Sequence, residues 1–336
     1  MFASSSLRPD DIGLILTYHC QSACRHCLYN SGPGWKDWIL EETLESAIQL
    51  LEDWSSVKQL HFTGGEPFLN FPLLLEAVRL ASAAQIPAYV ETSAGWCVNP
   101  DLTRRHFSAL HDAGLRAIMI SCSPFHAETI PLHRTLMAIG EALDVFGLQR
   151  VMVYQYDWID QIRRFGTHTP TPISRYIESF GIDPCGVMLW EGYGLISGGR
   201  AGFALGHMTD RVPAYIFEGQ RCYQEILNSS QFHLDLYGNL IPGVCGGLSL
   251  CDWQEIPLPV KEYPVIELSP LALILAESGP YGLYEFACKE HGFSASKQGY
   301  AGKCHLCVDV RRHLAHQKGY PELAPSGFYA DTYLGG

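Results

Sequence analysis

Short apolar runs alternate with longer segments of helical spacing over roughly the first 195 residues. The apolar runs predict six buried strands: Ile12–Thr17, Val57–Phe62, Ala88–Val90, Ala117–Ile120, Val151–Tyr154 and Val187–Trp190. The segments between them predict five helices: Leu40–Trp54, Phe71–Ala84, Asp101–Ala113, Leu132–Val145 and Ile173–Phe180. This alternation is typical of an α/β fold, with a parallel sheet, right-handed crossovers and external helices. The loops after the strands then share one rim, where such folds place active sites.

The rhythm changes in the second half of the chain. Gly192–Gly206 is rich in glycine and predicts a bridge. Beyond it, Phe232–Leu236 and Leu240–Val244 flank the turn Tyr237–Asn239, which predicts a β-hairpin. Two further helices are expected near Leu271–Glu277 and Val308–His316. We therefore predict three regions, spanning residues 1–195, 196–220 and 221–336.

Composition narrows the classes of partner. The 336 residues carry a formal net charge of −12, and an acidic surface repels phosphate backbones, so we expect no nucleic-acid partner. The N-terminal residues lack the apolar core of a secretion signal, and no run reaches the roughly 18 apolar residues of a membrane span. We therefore expect a cytoplasmic protein with no membrane partner. In that compartment the twelve cysteines are reduced, and clustered ones are best interpreted as metal ligands.

Three cysteines, Cys20, Cys24 and Cys27, follow the first predicted strand with the spacing Cys-x3-Cys-x2-Cys. Thiolates suit iron–sulfur clusters, and this close spacing lets one loop contact three irons of a cubane. No fourth cysteine is nearby in the sequence, so one iron is left open to a ligand from outside the protein. The alternative is a structural zinc site with a distant fourth ligand, although zinc sites favour Cys-x2-Cys pairs.

The spacing and position of these cysteines resemble the radical S-adenosylmethionine (SAM) superfamily. The resemblance implies a partial (β/α)6 radical SAM barrel, an oxygen-sensitive [4Fe–4S] cluster, and SAM bound at the open iron. In that family an electron from the cluster cleaves SAM to a 5′-deoxyadenosyl radical, which abstracts hydrogen from a substrate. The resemblance also implies reduced flavodoxin or ferredoxin as electron donor. His26 stands where the family usually has an apolar aromatic residue, and we expect it to pack beside the adenine of SAM.

A second element, Thr63–Pro67, follows the second predicted strand and reads Thr-Gly-Gly-Glu-Pro. Paired glycines let the backbone approach a ligand closely, and a glutamate can accept a hydrogen bond from an ammonium group. Alone, such a sequence is an ordinary turn. At this position it resembles the family's Gly-Gly-Glu-Pro element, which binds the amino group of SAM. The resemblance implies SAM contacts for Gly64, Gly65, Glu66 and Pro67.

The next two predicted strands end in polar residues on the same rim. In the family these strand ends supply hydroxyl or amide groups to the carboxylate and ribose of SAM, and Ser93 and Ser121 match them by position. The alternative for either serine is a plain strand cap. Cys122 and His126 lie nearby. We expect Cys122 to be a buried packing residue and His126 to be a polar residue in a turn. No catalytic acid or base is assigned.

A second set of cysteines lies in residues 221–336. Together with Gly199–Ala201, a Gly-Arg-Ala triplet, it resembles the SPASM/twitch extension of radical SAM proteins, which holds auxiliary clusters. The match is partial because Gly238 lies farther from Cys245 than the extension's usual spacing. The resemblance implies one auxiliary [4Fe–4S] cluster with four ligands: Cys222, Cys245, Cys304 and Cys307. Cys251 and Cys288 are reserve ligands, Cys97 and Cys185 are expected to be unliganded, and zinc on the Cys304/Cys307 pair is the alternative.

Three functions remain open at this stage. The first is modification of a peptide or protein, the commonest activity of the SPASM/twitch subgroup, although Cys20 lies so near the N-terminus that we expect no leader-binding domain before the barrel. The second is a small-molecule radical dehydrogenase or rearrangement enzyme. The third is a non-catalytic iron–sulfur carrier, which the open-iron spacing and the Gly-Gly-Glu-Pro element argue against.

Overall fold

The computed structural model describes residues 6–258, 260, 263–264, 269–317 and 319–330. The ends of the first and third predicted regions, residues 1–5 and 331–336, lie outside the described residues. The chain divides into two compact units. The parallel-sheet unit consists of Asp10–Cys24 and Ser31–Ser179, and the C-terminal unit consists of Met1–Pro9, Arg25–Asn30 and Phe180–Gly336. These limits differ from the predicted region boundaries, which remain predictions.

The strands of the described residues are β1 (Ser6–Leu7), β2 (Asp11–Thr17), β3 (Gln59–Gly64), β4 (Ala88–Thr92), β5 (Ala117–Ser121), β6 (Val151–Tyr154), β7 (Gln231–Asp235), β8 (Leu240–Pro242) and β9 (Tyr263–Pro264). The helices are α1 (Glu41–Asp53), α2 (Phe71–Ala83), α3 (Pro100–Asp112), α4 (Pro124–Ala127), α5 (Leu132–Phe146), α6 (Trp158–Arg163), α7 (Ile173–Phe180), α8 (Ile182–Val187), α9 (Ala201–Leu205), α10 (Tyr223–Ile226), α11 (Pro270–His291) and α12 (Lys303–Ala315).

The parallel-sheet unit confirms the predicted α/β fold. Strands β2 to β6 lie side by side in chain order, and every neighbouring pair is parallel. Because helices connect the strands, β2 is buried along nearly its whole length, from Ile12 to Thr17. The carboxyl ends of β2 to β5 therefore lie at one edge of the sheet, as the sequence pattern predicts.

The predicted sixth strand, Val187–Trp190, is wrong. Helix α8 continues there into a π-helical turn, Met188–Gly192. A four-residue apolar run fits a short buried strand and a helical turn equally well. Only one side of this run is covered, since Leu189 is buried whereas Val187 is 55% exposed. The parallel sheet of the described residues thus has five strands rather than six.

The C-terminal unit confirms the predicted hairpin, in which β7 and β8 pair antiparallel. The carboxylate of Asp235 accepts hydrogen bonds from the backbone N–H of Tyr237 and of Asn239, each at 2.9 Å, and Gly238 provides the positive φ of 94° that the turn requires. Strand β1 pairs antiparallel with β9.

Both predicted C-terminal helices are longer than expected. Helix α11 contains a kink at Gly279, which has φ 70°, and Pro280 then begins the second helical half, where its missing N–H costs nothing. Helix α12 starts at Lys303, so that Cys304 and Cys307 lie in its first turns. Among the described residues, no helix has the length and apolar character needed to cross a membrane.

Candidate functional site

The cysteine loop leaves the carboxyl end of β2 and is closed at its base. The N–H of Cys20 donates to the carbonyl of Gly32 at 3.2 Å, and the N–H of Gly32 donates to the carbonyl of Tyr18 at 3.0 Å. Cys20 is buried and Cys24 is half-buried, and both belong to the parallel-sheet unit. Cys27, also half-buried, is assigned to the C-terminal unit. The thiols of Cys20 and Cys24 therefore lie in a loop fixed to the rim.

Gly64 and Gly65 hold the turn after β3 against this loop. A Cβ on Gly64 would lie 2.2 Å from the carbonyl oxygen of Thr17, and one on Gly65 only 1.9 Å from that of His19. The N–H of Gly65 donates to Thr17 at 2.7 Å, and the N–H of Glu66 donates to His19 at 2.9 Å. The two glycines are thus required by packing of the protein's own backbone, and their contact with SAM stays a prediction.

Glu66 is fully buried at the centre of the rim. Its carboxylate accepts hydrogen bonds from the Thr92 hydroxyl at 2.9 Å, the Ser93 N–H at 2.9 Å, the Ser93 hydroxyl, and the Phe68 N–H at 3.3 Å. Burial raises the pKa of this carboxyl, although the four hydrogen bonds act in the opposite direction. Glu66 therefore ties the turn after β3 to the end of β4.

Gln21, between the first two cysteines, links the cysteine loop to this network, and the sequence analysis missed it. Its amide donates to the Ser93 hydroxyl at 2.8 Å, and its carbonyl oxygen lies 3.9 Å from the Cys20 sulfur. Gly95 leaves room for it, because a Cβ there would lie 2.1 Å from the Gln21 amide nitrogen. A chain of hydrogen bonds thus runs from Gln21 through Ser93 to Glu66. A polar side chain inside the cysteine loop was the only sequence signal for it.

The structure does not bring every predicted residue into this chain. Pro67 is buried and begins a 3-10 turn, Pro67–Asn70. Ser121 is the last residue of β5 and pairs in register with Tyr154 on β6, outside the hydrogen-bond chain. His26 belongs to the C-terminal unit, where its ring meets that of Tyr193 edge-on with centroids 5.6 Å apart. The proposed contact of His26 with adenine stays a prediction.

Cys122 is a buried packing residue as predicted, whereas His126, predicted in a turn, lies in the short helix α4. Cys122 is buried, and burial raises the pKa of its thiol to about 12. His126 is half-buried in α4, its Nδ1 lies 2.7 Å from the Ser123 hydroxyl, and burial lowers its pKa to about 4. Both side chains are therefore neutral near pH 7.

A second polar cluster on strands β2 to β4 was not anticipated. His61 is fully buried and lies 2.9 Å from the carboxylate of Asp11 and 4.0 Å from that of Glu91. The Thr63 hydroxyl donates to Glu91 at 2.6 Å, and the His61 ring stacks on Tyr89 with centroids 5.0 Å apart. Burial alone would lower the pKa of His61, but the hydrogen bond to Asp11 and the two carboxylate charges raise it overall.

Within the C-terminal unit, glycines enclose the segment that follows the cysteine loop. A Cβ on Gly199 would lie 2.2 Å from the carbonyl oxygen of Cys27, and one on Gly246 would lie 2.1 Å from that of Leu28. A Cβ on Gly198 would meet both Leu28, at 3.4 Å, and Cys304, at 3.6 Å. The glycine-rich segment predicted as a bridge therefore packs closely against the backbone around Cys27.

Four cysteines of the C-terminal unit influence one another electrostatically: Cys222, Cys245, Cys304 and Cys307. Burial is the main cause that raises the pKa of Cys222, Cys245 and Cys304, the last to about 11, and the neighbouring thiols raise it further. These are the four cysteines predicted to hold an auxiliary cluster. As free thiols, Cys222, Cys245 and Cys304 are protonated near pH 7, because each thiolate would be buried beside others.

The remaining cysteines lie elsewhere. Cys288 hydrogen-bonds with Tyr284 on α11, and Cys251 is half-buried, its carbonyl accepting from the N–H of Leu240 at 3.1 Å. Cys97 and Cys185 are fully buried, and burial raises the pKa of both thiols. All twelve cysteines lie in the described residues, and each is a thiol rather than half of a disulfide.

The donor sets fit iron–sulfur clusters. The cysteine loop supplies three reduced thiols within eight residues, and thiols are the soft ligands that such clusters take. The four grouped thiols of the C-terminal unit supply ligands of the same kind. In the described part of the chain, no three His, Cys, Asp or Glu side chains are arranged around a single metal ion. The four thiols of the C-terminal unit are grouped instead by their electrostatic influence on one another.

Known proteins resemble this chain at low identity. "Putative peptide biosynthesis protein YydG" of Bacillus subtilis (strain 168) is 21% identical over 116 residues, or 34% of this chain, and the match spans only 36% of that protein. Structures of similar fold include BtrN in complex with AdoMet and 2-DOIA, at 10% identity over 81% of this chain and 89% of that one, with a TM-score of 0.42. Streptococcus suis SuiB bound to precursor peptide SuiA is 10% identical over 90% of this chain and 76% of that one, with a TM-score of 0.41.

Native anSMEcpe with bound AdoMet and Cp18Cys peptide is 12% identical over 89% of this chain and 90% of that one, with a TM-score of 0.42. The profile of the radical SAM superfamily matches residues 14–142, which include the three-cysteine loop, the Gly-Gly-Glu-Pro turn and strands β3 to β5. This match agrees with the parallel sheet and with the polar rim at its edge. Residues 14–142 of the chain are therefore similar to the radical SAM superfamily.

Proposed function

We propose that this chain is a radical SAM enzyme that modifies a peptide or protein. The observation that carries the proposal is the hydrogen-bond chain from Gln21, which lies between Cys20 and Cys24, through Ser93 to Glu66. It joins the three-cysteine loop to the Gly-Gly-Glu-Pro turn, the two elements that the superfamily uses to hold its cluster and SAM. Cys20, Cys24 and Cys27 are the proposed ligands of the N-terminal [4Fe–4S] cluster.

A bound cluster would supply the electron that cleaves SAM and generates the 5′-deoxyadenosyl radical. The chain's own residues bind and orient. Gln21 fixes the loop beside Cys20, and Glu66 is held by four hydrogen bonds and cannot swing away from the rim. The proposed SAM contacts are Gly64, Gly65, Glu66, Pro67, Ser93, Ser121 and His26.

An auxiliary [4Fe–4S] cluster is proposed for the C-terminal unit. The support for it is a set of four reduced thiols that interact electrostatically with one another. One thiol comes from the segment before the β7–β8 hairpin, one from the segment after it, and two from α12. Metal binding would overcome the raised pKa values of Cys222, Cys245 and Cys304, since a coordinated thiol is deprotonated. The SPASM/twitch assignment of this unit rests on the same four cysteines.

A peptide substrate is proposed because the Bacillus subtilis relative is named for peptide biosynthesis. Reduced flavodoxin or ferredoxin is the proposed electron donor. The relative matches only 116 residues of this chain, whereas both proposals concern the whole chain.

The first test is anaerobic reconstitution with iron and sulfide, followed by reduction and addition of SAM. The enzyme should form 5′-deoxyadenosine, and Cys24→Ala should form none and lose about four irons per chain. Cys185→Ala is the control, because this buried cysteine belongs to neither proposed cluster and should keep both iron and SAM cleavage. A Cys24→Ala protein with full iron content and full SAM cleavage would refute the proposed site, and wild-type protein that never cleaves SAM would favour an iron–sulfur carrier.

The second test concerns the substrate. A short peptide encoded beside the gene should increase 5′-deoxyadenosine formation and emerge with a changed mass. If only small molecules are altered, the chain is instead a small-molecule radical dehydrogenase or rearrangement enzyme.

A further inference from the structure

Arg311 on α12 is a buried cation beside the four grouped thiols. Its side chain is 2% exposed. One terminal nitrogen donates to the carbonyl of Gly246 at 3.0 Å and to the hydroxyl of Tyr329 at 2.9 Å, and the guanidinium carbon lies 5.9 Å from the centroids of the Phe328 and Tyr329 rings. Its Nε is buried without a hydrogen-bond partner. A guanidinium in this position has lost its hydration and needs an anion nearby.

Within the described residues, no Asp or Glu carboxylate forms an ion pair with Arg311. Arg311 lies one helical turn after Cys307 on α12 and donates to Gly246, the residue that follows Cys245. The carbonyl of Gly246 and the hydroxyl of Tyr329, which Arg311 contacts, are polar groups and do not supply the full negative charge that compensates a buried guanidinium.

Ligation of iron would change this balance, because thiolates bound to a cluster stay deprotonated and carry the negative charge that the guanidinium needs. The contacts of the neighbouring cations differ. Lys303 already pairs with Glu225 at 2.5 Å, and Arg312 pairs with Asp309 at 3.2 Å and lies over the Phe203 ring. Among these three neighbouring cations of α12, Arg311 is the one that forms no ion pair with a carboxylate.

We propose that Arg311 is a positioning residue of the auxiliary cluster, which compensates its negative charge and raises its reduction potential. The inference rests on the proposed auxiliary cluster. One-electron reduction adds a negative charge to the cluster, and a fixed positive charge beside two of its ligands stabilises the reduced form.

The test uses the full-length chain with Cys20, Cys24 and Cys27 replaced by Ala, so that only the auxiliary cluster remains. After anaerobic reconstitution, iron is counted and the midpoint potential is measured by titration with dithionite, followed by electron paramagnetic resonance. About four irons per chain are expected in this background. Arg311→Gln should shift the midpoint to a more negative potential, Arg311→Lys should shift it less, and Arg312→Gln should leave it unchanged.

The outcomes distinguish the presence of the auxiliary cluster from the role of Arg311 beside it. A background that binds no iron overturns the auxiliary cluster and Arg311's role with it. An intact cluster whose potential is the same with Arg311→Gln overturns the role of Arg311 alone. If Arg311→Gln loses the cluster, retention in Arg311→Lys supports the need for positive charge, and loss in both shows that Arg311 only packs. Should the triple variant not fold, the same titration on the otherwise unsubstituted chain should move one of two midpoints.

Discussion

Replacement of Gly65 by Ala should disrupt the contact between the turn after β3 and the cysteine loop. The new Cβ would lie 1.9 Å from the His19 carbonyl oxygen, whereas real Cβ contacts are essentially never shorter than 3.0 Å, so the two segments must separate by about 1.1 Å. Such a movement breaks the hydrogen bonds from Gly65 to Thr17 and from Glu66 to His19. At about 0.5–1.5 kcal/mol for each bond and about 1–3 kcal/mol for overpacking, the loss is about 2–6 kcal/mol.

This loss is a large part of the roughly 5–15 kcal/mol that stabilises a typical domain, so it is measurable by urea unfolding. Gly140→Ala is the matched control, because Gly140 lies inside α5 with nothing within 4 Å of its Cβ position. That substitution should stabilise the protein by about 0.5–1 kcal/mol, since alanine favours helix. Should Gly65→Ala unfold at the same urea concentration as the wild type, the close approach would not constrain the rim as argued.

Three further predictions concern other positions. Ser93→Ala removes a hydroxyl donor from the buried Glu66 carboxylate, and should lower the free energy of unfolding by about 1–3 kcal/mol in urea; an unchanged value would contradict the network. His126 has a folded-state pKa of about 4 against 6.5 when unfolded, so its contribution to stability is complete above pH 6.5 and is lost as the pH falls below that value. Because other histidines titrate in the same range, the measured quantity is the difference: between pH 7 and 5 the wild type should lose about 2 kcal/mol more than His126→Gln does, and equal losses would contradict the lowered pKa. In Gly279→Ala the Cβ would lie 1.9 Å from the Gln220 carbonyl oxygen at a positive φ, which should displace the segment before Cys222 and lower auxiliary iron while N-terminal iron stays bound.

The sequence predicted the elements of the parallel sheet closely. Val151–Tyr154 and Ile173–Phe180 have the predicted bounds, because apolar periodicity reflects which side of a segment is covered. The pattern failed at Val187–Trp190, where four apolar residues do not distinguish a strand from a helical turn. It also stopped α11 too early, because Gly279 and Pro280 signal an end although the chain resumes a helix there.

Some residues of the candidate site were predicted from the sequence, and others were not. The cysteines proposed as ligands and the Gly-Gly-Glu-Pro turn were selected from residue type and spacing along the chain, and the role of these cysteines as ligands stays a prediction. Gln21 was missed because its role depends on Ser93, a residue distant in sequence. Arg311 reads as part of a basic helix, and only its burial beside Gly246 reveals a cation without a carboxylate partner.

By itself, the sequence determined the α/β fold class and the chemistry of the thiol donors, since periodicity and residue type are properties of neighbouring positions. Only the tertiary structure decided that Gly65 packs on the His19 carbonyl, that Glu66 is held by the end of β4, and that four distant cysteines share one electrostatic environment. The physical reason is that desolvation and close approach depend on which segments meet in space. A local pattern of residues does not determine which distant segments come into contact.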